Sequence, residues 1–376
     1  MRKGLTIILV VFFVLASLSN GNNLKKENLR LGYKEIKVEI NENIETLSLI
    51  YSLADDELIN VDFAEKAHLL KHYLKEFEKF KDHPAVKKMK FLLKKEIFGA
   101  SCVTYGLFYT DFPEFKEKYP FDFSVYKKEE KNQLLEFYQL ARKFYKDVKL
   151  SKFFIKHHTV YERIKNEVKS VLPSNSYIKT LEKFHGISML DYVIIPSIFV
   201  PNYFNYGPTI KTRKGIINYY VMGPAYDVNI KSGVKLPDKL GFNAKSYIFS
   251  IGIHEFGHTF VRFIDKPKNA RLINSISYLN TEELRKKIYP QGYGNWKGVF
   301  EEHLVRVCEI EIAKMMNNEK YSKILYEDNV IKRGFKYIPY ILDIIPQYEK
   351  NRDKYKTFEE FFPLIIKKLS EVKIKR

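Results

Sequence analysis

Cysteine is nearly absent. Cys102 and Cys308 are the only two among 376 residues, they lie far apart, and neither has the CxxC neighbour that a cysteine-based zinc site needs. At most one long-range disulfide fits, and two unpaired buried thiols is the preferred reading. Long apolar runs are as scarce. One extends from Leu5 to Leu18 and no second follows, so the remaining chain is expected to be soluble. Internal repeats, low-complexity linkers and a clear propeptide are missing. There is also no RNA-binding signature, zinc finger or basic region followed by heptads, which leaves no nucleic-acid partner indicated.

Acidic residues are in deficit, with 45 Asp and Glu against 64 Lys and Arg and a formal charge of +19. The lysines are spread along helix-like stretches such as LKKEI, FKEKY and VYKKEEK, with glutamates between them. That pattern describes a solvated lysine-rich surface rather than a dedicated polyanion site.

The N-terminus reads MRKGLTIILVVFFVLASLSNGNN. Two cations, an apolar stretch and then small polar residues make the layout of a secretory signal peptide over residues 1–19, with cleavage after Ser19, or after Gly21 as the neighbouring choice. About fourteen apolar residues fall short of the roughly twenty that span a bilayer, and no cysteine follows to take a lipid. The expected location is secreted or extracytoplasmic, with no stable membrane span after the signal is removed.

The remaining length suits one or two domains. Alternation in YKEIKVEIN predicts a short strand through Ile36, Val38 and Ile40. Apolar residues at three- and four-residue spacing predict helices from about 46 to 170, so residues 20–185 form a helical N-terminal region. His68, His72, His157 and His158 lack a matching carboxylate motif and are expected at the surface or in packing. Near 187 the texture changes. LDYVIIPSIFVP and IINYYVMGP predict strands near 190–199 and 216–222. NAKSYIFSIGIHEFGHTFVRFI then predicts one helix capped by Asn243, and helices follow at about 280–288, 298–317, 333–349 and 357–373. The fold class is α+β and mostly helical, with residues 186–376 as a second region.

The chemistry centres on His254-Glu255-Phe256-Gly257-His258. Residues four apart on a helix share a face, so His254 and His258 can aim at one ion while Glu255 stands beside them as a general base. A motif of this kind arises by composition alone with a chance on the order of one in a hundred, so context must decide. Gly257 weakens the helix by about 1 kcal/mol, and a close approach by another element is one reason to keep it. Two histidines leave a zinc site incomplete. Val261 and Ile264 stand where a third histidine pattern would need Gly and His, and Asp265 lies about 10 Å farther along the helix. The remaining source is WKGVFEEHLVRVCEIEIA, where Val299, Glu302, Val305, Arg306, Glu309 and Ala313 share a face. Glu302 is the preferred third ligand, with Glu301 and His303 as competitors. Arg306 is placed to hold its second oxygen and Glu309 to accept from a ligand histidine. The rival explanation is a buried Glu302–Arg306 ion pair with no metal.

This pattern resembles the glutamate-zincin peptidases, in which HExxH on one helix is completed by a Glu from a later helix. The likeness covers roughly 185–315. The chain also resembles, along nearly its full length, a family of exported bacterial proteins classed as a domain of unknown function and regarded as metallopeptidases. The shared pieces are HPAVK (83–87), NYGP (205–208), HEFGHTFV (254–261), EEHLVRV (301–307), GFKYI (334–338) and YEKNRDKY (348–355). The resemblance implies a zincin-like core with a small sheet packed over the HExxH helix. It also implies Zn2+ on His254, His258 and Glu302, Glu255 as base, and a peptide or protein substrate. It further implies a Tyr or His that stabilises the oxyanion, for which Tyr337 and Tyr293 are candidates. One position departs from the thermolysin-like pattern: an Asp is expected four residues after the ligand Glu, and Arg306 stands there. Two other functions share these residues, a non-catalytic secreted binding protein on the same scaffold and a zinc hydrolase of a non-peptide amide.

Overall fold

A computed structural model describes residues 34–373, except 56–67, 99, 122, 124–125, 174–175, 203 and 231–234. The signal-peptide segment 1–19 lies outside the described residues. The described chain is mostly helical with one small mixed sheet. No helix among the described residues is long and apolar enough to cross a membrane.

The chain enters through β1 (Ile36–Val38) and then builds the helical layer: α1 (Glu42–Ala54), α2 (His68–Leu74), α3 (Pro84–Lys94), α4 (Lys128–Asp147), α5 (Leu150–Lys156), α6 (His158–Lys169) and α7 (Ser176–His185). Helix α1 is buried on nearly every side, polar residues included. Its polar groups therefore need partners inside the protein. Asn43 donates to the Gly106 carbonyl at 3.0 Å, Ser52 to the Phe199 carbonyl at 3.0 Å, and Glu45 accepts from the Ile198 amide at 3.0 Å. The four N-terminal histidines sit in packing or surface pairs as expected; His68, for example, meets Asp227 at 2.5 Å and His157 meets Glu76 at 3.4 Å.

Strands β2 (Asp191–Pro196) and β5 (Gly215–Met222) form the centre of the sheet and run parallel, with β1 parallel to β2 on the far side. β2 is buried on both faces, which accounts for its unbroken apolar run. The short strands β3 (Asn205–Tyr206) and β4 (Thr209–Thr212) both pair antiparallel with β5, so residues 205–212 form one interrupted edge. No further strand pairs with that edge among the described residues.

Beyond the sheet come α8 (Lys245–Val261), α9 (Pro267–Ser275), α10 (Glu282–Ile288), α11 (Trp296–Met315), α12 (Glu319–Tyr326), α13 (Ile338–Leu342), α14 (Ile345–Lys350) and α15 (Phe358–Ser370). Two local expectations are corrected. Asn243 does not cap α8; its side chain accepts from the Tyr226 hydroxyl, and the helix starts at Lys245 without a side-chain cap. The helix expected over 333–349 is two short ones, because Pro339 and Pro346 each sit in a first turn and cannot continue a preceding helix. Helix α12, begun by the Asn318 cap, is an addition.

Candidate metal centre

Helix α8 carries HEFGH and has neither a side-chain cap nor an acidic first turn, so tertiary packing must hold it. The sheet supplies one side. Asn218 of β5 donates to the Phe256 carbonyl at 3.0 Å and accepts from the Thr259 hydroxyl at 2.9 Å, while Tyr192 and Tyr220 pack edge-on against Phe256. Helix α11 supplies the other. A Cβ on Gly257 would stand 3.2 Å from a Val305 methyl, tighter than ordinary packing, so glycine here serves the close approach of the two helices.

That approach brings three ligand atoms together. Nε2 of His254 and Nε2 of His258 are 3.1 Å apart, and each lies 3.5 Å from an oxygen of Glu302. Ligands held at about 2.0–2.1 Å by a tetrahedral ion stand roughly 3.3 Å from one another, so the observed triangle has the size of such a site. All three residues are buried, and they are the one such group of potential metal ligands among the described residues. Oε1 of Glu302 has no hydrogen-bond partner among the described residues although its residue is fully buried. A buried carboxylate with one oxygen left over and each oxygen 3.5 Å from one of the two imidazoles fits a cation.

The surroundings prepare these ligands. Nδ1 of His254 lies 2.6 Å from Glu309, and Nδ1 of His258 lies 3.0 Å from Glu301. Each carboxylate accepts a hydrogen bond from an Nδ1–H, the tautomer in which Nε2 carries the lone pair for a metal. His254 meets residue 309 and His258 meets residue 301, so the two helices run antiparallel across the site. Arg306 donates to Glu302 at 2.9 Å, to Asn329 at 2.9 Å and to the Tyr293 hydroxyl at 3.1 Å, and its guanidinium lies over the Phe335 ring at 4.4 Å. The Glu302–Arg306 pair offered as the rival explanation therefore exists, but it uses one oxygen and leaves the other for an ion.

Protonation follows from burial and charge. Burial pushes the His254 pKa well below its ordinary value, with Arg306 and His258 adding to the effect against Glu302. Burial lowers His258 too, but Glu301 and Glu302 outweigh it and raise the value to about 9. Glu302 ends below the ordinary carboxylate range, since burial is outweighed by His254, Arg306 and His258. Glu255 is pushed up to about 7, chiefly by burial, with Glu302 and Glu309 adding to the rise. Its Oε1 is buried without a hydrogen-bond partner among the described residues.

The edge of the sheet passes directly over Glu255. A Cβ on Gly207 would lie 2.5 Å from the Glu255 carbonyl oxygen and 3.0 Å from Oε2, so no other residue fits there without displacing the strand. Two residues on, the Thr209 hydroxyl meets Thr259 at 2.7 Å. Edge strand and helix thus run side by side and flank the candidate site.

The remaining candidates fall elsewhere. His303 turns Nδ1 to the Val299 carbonyl at 2.7 Å, its ring packs against Phe335 and Tyr337, and burial pulls its pKa down to about 4. The Tyr337 hydroxyl donates to the Leu279 carbonyl at 2.5 Å. Tyr293 is the tyrosine tied to the site, through Arg306. Cys102 and Cys308 are both free and buried. Glu301, expected to lean away, is instead the partner of His258. The approach of Gly207 had no signal in the local sequence beyond the glycine itself.

Comparison with known families gives one match: the chain belongs to the family described as Domain of unknown function (DUF4932), which covers residues 36–368. Comparisons with curated proteins and with solved structures find no match. The family fixes kinship and carries no activity with it.

Proposed function

We propose that this protein is an exported zinc-dependent peptidase. The observation that carries the proposal is the convergence of His254, His258 and Glu302 to the ligand spacing of a tetrahedral ion, next to Glu255, whose Oε1 has no hydrogen-bond partner among the described residues. The donor set of two imidazoles and one carboxylate, each supported from behind, suits zinc. The export part rests on the N-terminal cation, apolar and small-residue layout.

When bound, such an ion supplies Lewis acidity, polarising a carbonyl and making water easier to deprotonate. The chain's own residues do the rest. A peptide lies along the outer edge formed by β3 and β4, pairing as an added strand, and this sets the scissile carbonyl above Glu255. Glu255 takes a proton from the attacking water as the new C–O bond forms, then delivers it to the amine nitrogen as the C–N bond breaks. A carboxylate pushed up to about 7 is matched to that work near neutral pH. Glu301 and Glu309 keep the two histidines in the tautomer that binds, and Arg306 fixes the Glu302 carboxylate.

The test is Glu255→Gln. It is expected to keep one equivalent of zinc and to lose hydrolysis of a broad peptide library by at least about a thousandfold. Wild-type activity should vanish with chelator and return with zinc. Retained turnover in the variant would remove Glu255 from the mechanism.

A further inference from the structure

We propose that the cavity at the C-terminal end of α8 is a carboxylate-recognising subsite of this cleft, anchored by Arg262, that selects substrates with a negative group beside the bond cut. This rests on the peptidase reading.

Arg262 follows His258 by four residues and Glu255 by seven, so it continues the same helix face about 6 Å farther along from His258. It lines a cavity of ≈ 540 Å³ together with Thr209, Lys211, Thr259, His185 and Phe260. Thr209 and Lys211 belong to β4, the strand that flanks the metal cluster, so the cavity opens beside the path assigned to a bound peptide.

Three cations, Arg262, Lys211 and Lys266, and two carboxylates, Asp265 and Glu359, line it. Arg262 is partly buried and forms no hydrogen bond or ion pair among the described residues. The carboxylates nearby are taken. Asp265 pairs with Lys297, Glu359 with Lys266 at 2.6 Å, and Glu301 with His258 at 3.0 Å. Burial weakens the hold of the guanidinium on its charge, opposed only by the fields of Glu301 and Asp265. Lys211 adds a second cation, with no partner among the described residues.

A guanidinium offers five donors and no acceptor, so an arginine held there without a partner asks for an anion. The walls say more about its shape. His185 is fully buried, has no hydrogen-bond partner at either ring nitrogen among the described residues, and stacks on Phe260 at 4.4 Å. Burial and the field of Arg352 pull its pKa down to about 3, so the ring stays neutral and adds no cation of its own. Neutral rings around a cationic floor fit a carboxylate on a short hydrocarbon stem. A lysine or arginine of the substrate would meet like charge. Two groups carry that chemistry, an Asp or Glu side chain and the carboxylate that ends a peptide.

The experiment uses the zinc-loaded Glu255→Gln protein, which reports binding without turnover. Dye-labelled decapeptides carry Glu, Gln or Lys on either side of the central bond, each with a free or an amidated C-terminus, and are titrated by fluorescence anisotropy. The Glu peptide is expected to bind at least about tenfold tighter than the Gln peptide, and adding Arg262→Gln should bring the two within about twofold. Arg262→Lys should keep part of the preference, and Arg262→Glu should turn it toward Lys. A Glu-over-Gln preference that survives amidation assigns the site to a side chain, whereas equal binding of the two that falls at least about tenfold on amidation, and does so only with Arg262 in place, assigns it to the terminal carboxylate. Because Arg262 gives up no partner, the variants should keep wild-type zinc content and circular dichroism. Equal binding of Glu and Gln peptides that amidation leaves unchanged, binding of neither, or a preference that persists in Arg262→Gln overturns the subsite. Wild-type cleavage with no acidic preference would also overturn it and leave the peptidase intact. Acidic peptides bound through Arg262 but never cleaved would overturn the peptidase and leave the subsite.

Discussion

Oε1 of Glu309 stands 2.6 Å from Nδ1 of His254, on the side of the ring away from His258 and Glu302. A carboxylate in that position fixes the tautomer and orientation of a ligand it never shares an ion with. Glu309→Ala is therefore expected to weaken zinc binding by about 10–100-fold, as is Glu301→Ala through His258, while His254→Ala should abolish stoichiometric binding. Competition against a chromophoric chelator measures all three. Unchanged affinity in both glutamate variants would reduce them to packing residues.

Arg306 provides the only cation in hydrogen-bond contact with Glu302 among the described residues. Removing one member of a buried pair leaves the other charge uncompensated, so Arg306→Met should destabilise the metal-free protein by about 3–5 kcal/mol. A metal ion replaces part of the lost positive charge, and the deficit should shrink when zinc is added. Urea unfolding with and without chelator gives both numbers. A metal-free loss below about 1 kcal/mol would mean that Glu302 is neutralised by something other than Arg306.

Gly207 and Gly252 make a matched pair. At Gly207 a Cβ would meet the Glu255 carbonyl oxygen at 2.5 Å, whereas at Gly252, on α8, nothing among the described residues lies within 4 Å of the added atom. Gly207→Ala must push the edge strand off the helix, at about 1–3 kcal/mol and with most of any hydrolysis lost. Gly252→Ala removes a weak spot from a helix and should stabilise by up to about 1 kcal/mol. Thermal unfolding of both variants separates steric conflict from helix propensity. A Gly207→Ala protein as stable and active as wild type would remove the strand from the site.

Local rules reached as far as local geometry goes. The pairing of His254 with His258 needs only the helical repeat, and Glu302, Arg306 and Glu309 followed from one face of α11. Glu301 was misplaced because a single helix face assumes one contact line, whereas the two histidines point their Nδ1 atoms in different directions and need partners eight residues apart. β2 was legible because a strand buried on both faces has no alternation to hide. β3 was not, since two residues carry no periodicity and the strand exists only through its pairing with β5. The unpaired state of Arg262 was equally out of reach, because it depends on Asp265 and Glu301 finding other partners.

Glu45 supplies a pH signature away from the metal site. It lies inside α1, fully buried, accepts from the Ile198 amide at 3.0 Å, and leaves Oε2 without a hydrogen-bond partner among the described residues. Burial raises its pKa to about 8, against several hydrogen bonds that lower it. In the unfolded chain the group returns to an ordinary carboxylate near 4.3. Between these two values the folded state holds a proton that the unfolded state has released, so stability falls as pH rises through the window, by up to roughly 1.4 kcal/mol per pH unit from this group. Below the unfolded value both states are protonated, and above about 8 both are ionised, so the slope is confined to that window. Glu45→Gln keeps an acceptor for Ile198 and places an amide where the orphaned oxygen was. The difference in unfolding free energy between the variant and wild type should therefore grow from pH 5 to pH 8 in favour of the variant, as read by urea titration at half-unit steps. A difference that stays flat over that range would show that Glu45 is ionised in the folded protein and that its hydrogen bonds outweigh its burial.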